Sequence, residues 1–294
     1  MGKGFAAAVA TARGNGASAH PAARSIERMA EARLIAAARR GDRKALEQLL
    51  REASEPAYRF SRGFCRDPHE AEDLAQDVMA TLLRTLDTFR GDSSLSTWTY
   101  TVARRACGRR KKRRAREAPL DEAGAAVLEQ PAHEAEPHRR LERRRLGQAL
   151  ERAIGSLPVA QREVLVLRDV EGLPAAEVAK IVGIGERAVK SRLHRARLAV
   201  RGMLAPFVAG GDAPARGAKC PDTAKMLSRY VEGELSPAVC ARMEKHVASC
   251  PACNGACESL RAVLGACRTY GSQPVPPRIT LAVRTAVKDL LAKR

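Results

Sequence analysis

The segment from His246 to Cys253 places three ligand-type side chains at His246, Cys250 and Cys253, an H-x3-C-x2-C spacing. One helical turn separates His246 from Cys250, so on a helix their side chains share a face. Pro251 disfavours helix at Cys250 and suits the first turn of a new one, which folds Cys253 back toward the same point. An imidazole and two thiolates are ligands that tetrahedral Zn2+ takes, and one more thiolate completes the set. Cys220 is the candidate, since it directly precedes a helical stretch beginning at Asp222 and the helix after Ser236 to Val239 returns antiparallel to it. Unligated cysteines in a small core are the alternative. Cys240, Cys257 and Cys267 are further thiols, open to roles as core residues, redox partners or ligands of a second thiophilic ion.

Six of the eight cysteines fall in this last segment, while the whole chain of 294 residues carries a formal charge of +19. Such an excess predicts a polyanionic partner, because each Lys or Arg set against a phosphate releases condensed counterions. The charge is localised: nine Lys or Arg residues lie between Arg104 and Arg116 without one acid. No apolar run approaches the ~18 residues that cross a bilayer, so no membrane segment is expected. Residues 1–25 read as a disordered, weakly basic tail, with an organellar transit peptide as the alternative. Ala6 stands where a myristoylation signal needs Ser or Thr.

The elements that must position these groups are helical, and the fold class expected is all-α. Leu34, Ala37 and Ala38, then Leu46, Leu49 and Leu50, recur at the spacing of one apolar face. Leu74, Val78, Leu82, Leu83 and Leu86 continue it as core, and the opposite face bears Glu72, Asp73, Gln76 and Asp77, either solvated surface or a docking surface. Gly91 and three serines break this helix, and Ser96 is expected to cap the next one, which runs through Trp98 and Val102 into the basic stretch. Phe89, Trp98 and Tyr100 cluster in a chain with only 3% aromatic residues. An aromatic ring on a basic helix can stack on an unpaired base, worth ~1–3 kcal/mol, as an alternative to packing in the core.

Farther on, Val178, Ile181 and Val182 face Ile184, Val189 and Leu193 across a turn at Gly183, the pattern of a helix-turn-helix. The second helix carries Arg187, Lys190, Ser191, Arg192 and Arg195, donors suited to a major groove. Residues 117–145 and 207–217 change composition and read as linkers. The divisions expected are therefore a helical domain over 26–116, a helix-turn-helix domain over 146–206 and a Cys-rich domain over 218–294. No nucleophile triad, phosphate-cradling glycine loop or paired-carboxylate site has supporting context, so the chain is not expected to be an enzyme. Cys250 and Cys253 as a thiol–disulfide pair would need a βαβ unit, which the helical pattern does not offer.

Residues 68–114 resemble region two of the extracytoplasmic-function (ECF) sigma factors of bacterial RNA polymerase, and residues 156–204 resemble their region four. The resemblance implies a cytoplasmic protein that directs core RNA polymerase to promoters. It implies that Asp73, Gln76 and Asp77 dock on the polymerase clamp, and that the 91–96 loop with Trp98, Tyr100, Arg104 and Arg105 opens the −10 element. The helix bearing Arg187 to Arg195 would read the −35 element. Arg105 stands where many relatives carry Asn, and Ala188 where many carry Thr, so promoter sequence does not transfer. Residues 218–265 resemble the zinc-binding anti-sigma fold, here fused to its own target, which implies intramolecular docking on the sigma domains and regulation in cis by metal or oxidant. A duplex-binding regulator with a structural zinc finger, independent of polymerase, is the alternative reading.

Overall fold

The computed structural model describes residues 21–65, 68–89, 91, 93–117, 138–208, 217, 220–271 and 277–292. Every regular element among them is helical. The chain divides into two compact units, the first including residues 19–131 and 274–294, the second including 132–273.

The first unit contains α1 (Pro21–Arg39), α2 (Arg43–Phe64), α3 (Pro68–Thr85), α4 (Leu95–Glu117) and a last helix, α12 (Pro277–Ala292). Asp42 caps α2 by accepting from the Lys44 and Ala45 N–H groups at 2.9 and 3.2 Å, and Gly41 reverses the chain before it at φ 89°. Leu46, Leu49, Leu50 and Phe60 of α2 close on Leu74, Val78 and Leu82 of α3, all fully buried. α4 lies across both helices. Its cap is Ser94 rather than Ser96: the Ser94 hydroxyl accepts from Thr97 N–H at 3.1 Å, and its carbonyl accepts from Trp98 N–H at 3.0 Å.

The second unit runs from α5 (His138–Ser156) through α6 (Val159–Leu165), a π turn (Val166–Val170), α7 (Ala175–Val182) and α8 (Glu186–Leu204). It continues into α9 (Thr223–Val231), α10 (Pro237–Ser249) and α11 (Pro251–Gly271). α7 ends at Gly183, whose φ of 76° only glycine adopts without strain, and α8 leaves the turn at Gly185. Val178, Ile181, Val189, Leu193 and Val200 form the core of this helix-turn-helix. α9, α10 and α11 bury Leu227, Met243, Val247 and Leu260 among themselves. α11 also lies against α5, α8 and the π turn, and α9 against α8.

Three expected boundaries move. Helix begins at Pro21, inside the tail placed at 1–25, because proline is tolerated in a first turn; residues 1–20 lie outside the described residues. α5 begins at His138, inside the linker placed at 117–145, and buries Ala149, Leu150, Ala153 and Ile154 on one face. The Cys-rich segment 218–294 is divided between the units, since α12 packs on α2 and α3.

Candidate metal centre and nucleic-acid interface

The fold brings the four expected ligands together. The donor atoms of Cys220, His246, Cys250 and Cys253 all lie within 4.8 Å of one another. Cys220 Sγ and Cys250 Sγ are 3.8 Å apart, and His246 Nε2 is 3.2 Å from Cys253 Sγ. A tetrahedron with Zn–S bonds of ~2.3 Å has sulfur–sulfur edges of ~3.8 Å, so the donor set fits zinc. Local chemistry builds this arrangement. Cys250 leaves α10 in extended conformation at φ −121°, α11 restarts at Pro251, and Cys220 enters from just before α9, where Asp222 accepts from Lys225 N–H. Thr223, fully buried at the head of α9, holds its hydroxyl beside the thiols of Cys253 and Cys257. Backbone hydrogen bonding from Cys253 holds the Cys250 thiol below its ordinary pKa. Burial pushes that of Cys253 up to about 11.

The remaining thiols of the segment separate from this centre. Cys257 and Cys267 are fully buried, and burial raises both pKa values. They are core residues, and among the described residues the group of three or more metal-ligating side chains is that of Cys220, His246, Cys250 and Cys253. Cys240 is half-buried on α10.

The reading helix α8 presents two polar rows. Arg187, Ser191 and Arg195, four residues apart, are exposed, while Arg192 is half-buried. The second row is Lys190, His194, Arg197 and Arg201, and each member meets the segment that follows residue 217. Lys190 Nζ lies 3.0 Å from Glu234 Oε1. His194 has Asp222 and Lys225 as charged neighbours, and burial lowers its pKa. Arg201 donates to the Ser259 hydroxyl.

Arg197, with its side chain 0% exposed, is the centre of the row. It donates to both carboxylate oxygens of Asp169 on the π turn, at 2.8 and 2.6 Å. It also donates to Ser228 Oγ at 2.9 Å and Glu232 Oε1 at 2.8 Å, both from the α9 region. Glu232 takes a second guanidinium from Arg168 at 3.1 Å. Burial alone would lower the Arg197 pKa, but the two carboxylates more than offset it and hold the group above its ordinary value. Both acids are needed to keep this buried cation paired, because removing either leaves an uncompensated charge in low dielectric. At the far end, Tyr270 OH donates to Glu151 at 3.3 Å, and Gly271 meets Val170 backbone to backbone.

In the first unit, Trp98 stacks on Phe89 with centroids 4.6 Å apart and stays half-buried. Tyr100 does not join it: the ring is 2% exposed and packs 5.9 Å from Phe60. Its expected contact with DNA is therefore replaced by a place in the core, because position 100 falls on the inner face of α4. Arg104 is half-buried and Arg105 exposed. Asp73, Gln76 and Asp77 are all exposed on α3. Arg110 of the basic run donates to Asp77 Oδ2 at 2.9 Å and lies 4.0 Å from Asp73 Oδ2.

Sequence reading missed Asp169, Arg197, Ser228, Glu232 and Glu234. The available signal was the spacing of 190, 194, 197 and 201, which defines a polar row that shares only Lys190 with the residues read as DNA-facing.

Residues 49–117 match the family model for sigma-70 region 2, residues 147–200 that for sigma-70 region 4, and residues 220–254 a zinc-finger family model. The ECF RNA polymerase sigma factor SigM of Mycobacterium tuberculosis is 35% identical over 167 residues, covering 57% of this chain and 81% of that protein. The ECF RNA polymerase sigma-E factor of Escherichia coli is 31% identical over 193 residues, covering 62% and 98%. A solved sigma factor RpoE from Bartonella quintana, in complex with the anti-sigma factor NepR, superposes with a TM-score of 0.43 at 27% identity, covering 51% of this chain and 91% of that one. The chain belongs to the ECF sigma factors of RNA polymerase, with a zinc-finger-type segment joined after region four.

Proposed function

We propose that this chain directs core RNA polymerase to promoters and that its zinc-binding segment restrains it in cis by covering one side of region four. The observation that supports this reading is the row on α8: Lys190, His194, Arg197 and Arg201 are turned toward α9, the turn after it and α11. Arg187, Ser191 and Arg195 supply the exposed donors for base edges and phosphates of the −35 element. Trp98, with Arg104 and Arg105, serves strand opening at the −10 element, and Asp73, Gln76 and Asp77 dock on the polymerase. Because Arg110 bridges Asp73 and Asp77, docking would compete with that pair. A cytoplasmic setting keeps the thiols reduced and available to metal.

Cys220, His246, Cys250 and Cys253 would hold the zinc, which when bound supplies a cross-link between the head of α9, the end of α10 and the start of α11. α9 carries the effect outward: Cys220 precedes it, and Ser228 and Glu232 near its other end hold Arg197. Loss of the metal, or oxidation of its thiolates, loosens the start of this helix and with it the cover on region four.

The test is transcription in vitro with core polymerase, comparing the full chain, a truncation after Gly211 and a truncation after Gly271 that removes α12 alone. Release of activity by the first truncation and by Cys250→Ser supports the reading. Promoter-specific transcription that is the same in all forms refutes restraint in cis. A promoter footprint by the full chain without polymerase refutes the sigma-factor assignment of its DNA-reading surfaces.

A further inference from the structure

The turn after α9 presents Glu232, Gly233 and Glu234 to the reading helix, and local sequence prescribes its shape. Gly233 ends the helix in the left-handed conformation at φ 72°. Its N–H donates to Tyr230 O at 2.9 Å and the Glu234 N–H to Arg229 O at 3.0 Å, the paired bonds of a Schellman motif. Such a motif fixes the directions of the residues on either side of the glycine, and here the two acids have different surroundings. Glu232 is 5% exposed and enclosed by Arg168 and Arg197, a setting that belongs to the interface itself. Glu234 is 29% exposed at the rim, with Lys190 Nζ at 3.0 Å and Arg229 Nε at 3.5 Å.

Lys190 lies on the second turn of α8, in the N-terminal part of the helix that enters a groove. A carboxylate oxygen 3.0 Å from its ammonium is at the distance at which a phosphate oxygen would accept from it. Resting on the cis restraint set out above, we propose that Glu234 is a phosphate mimic: the acidic turn holds Lys190 in the place of a DNA backbone phosphate, so the zinc-binding segment competes with DNA at the reading helix itself. Both side chains remain partly wet, so the competition is a modest, salt-sensitive bias that DNA can reverse.

Phosphate contacts carry no base sequence, so a random-sequence duplex of about 30 base pairs is a sufficient probe. Full-length parent, Glu234→Gln and Glu258→Gln are titrated with this duplex by fluorescence anisotropy across a salt series. Glu258 lies exposed on α11 beside Asn254, and its substitution makes the same charge change away from Lys190. Glu234→Gln is expected to bind about two- to fivefold tighter than the parent, with a salt dependence steeper by up to about one counterion. In a Lys190→Ala background the gain from Glu234→Gln is expected to vanish, as coupled partners require. Zinc content and melting temperature at the parent's values show that Glu234→Gln is folded.

An equal gain from Glu258→Gln, no gain from Glu234→Gln, or a gain that survives without Lys190 each overturns the proposal. The two readings fail separately. Transcription released by truncation after Gly211 together with unaltered duplex binding by Glu234→Gln removes the mimic and leaves cis restraint standing. The reverse pair supports the mimic and removes the restraint.

Discussion

Gly271→Ala isolates the cover on region four from the folding of either part. Gly271 is the last residue of α11, and a Cβ built there falls inside the van der Waals envelope of the Val170 carbonyl oxygen, 3.0 Å from its carbon and 3.1 Å from Val170 Cγ1. The obstacle is backbone on the π turn, which also carries Asp169, so it cannot swing aside as a flexible side chain would. Overpacking of this kind costs ~1–3 kcal/mol. Alanine is meanwhile the better helix former by ~0.5–1 kcal/mol, a gain that the uncovered state keeps in full. The substitution should therefore shift the equilibrium toward the uncovered state by ~1–3 kcal/mol, a factor of roughly 5 to 150. Amide hydrogen exchange on α8 reads this directly, with faster exchange expected at Lys190 to Arg201 while α2 and α3 of the other unit stay as in the parent. Unchanged exchange on α8, with alanine accommodated at position 271, would falsify the close approach of α11 to the π turn.

Purified, reduced protein should contain about one zinc per chain by elemental analysis, and Cys250→Ser and Cys253→Ser should lose it, whereas Cys267→Ala should keep it. Trp98→Ala should impair promoter opening with little change in melting, while Tyr100→Ala should destabilise the first unit by ~3–5 kcal/mol because its ring is core; equal effects of the two on calorimetry would contradict that division. The raised thiol pKa values of Cys257 and Cys267 mean that the folded state holds their protons more tightly than the unfolded state does. Their contribution is intact below the ordinary thiol pKa near ~8.5 and is lost as pH rises above it, so alkaline melting should show a downward slope that Cys267→Ala reduces.

The helix-turn-helix and the convergence of Cys220, His246, Cys250 and Cys253 were legible because each follows from local rules. Gly183 marks a left-handed turn, Pro251 restarts a helix beside Cys250, and the apolar periodicity of α3 and α8 gives their inner faces. Tyr100 was misread since aromatic character beside a basic run does not say which way a helix turns; only its register against Phe60 decides. The Arg197 network was illegible for another reason. Arg197, Asp169 and Glu232 lie 28 and 35 residues apart in sequence, and a single arginine in a basic helix gives no sign that acids from two distant elements will desolvate it. The placement of α12 with α2 and α3 was equally non-local, as an amphipathic stretch states that it needs a partner without naming one.

Cys220 and Glu232 sit beyond opposite ends of α9, a helix of nine residues, and under the proposed restraint in cis this would make the hold on metal and the hold on region four two ends of one equilibrium. Thermodynamic reciprocity then runs the signal backward: whatever factor zinc contributes to the closed form, promoter DNA and polymerase must exact from zinc when they select the open form. A sigma factor engaged at a promoter would surrender its metal to a chelator more readily than the same chain at rest. Transcription would thus set how strongly the protein holds zinc, as well as the converse.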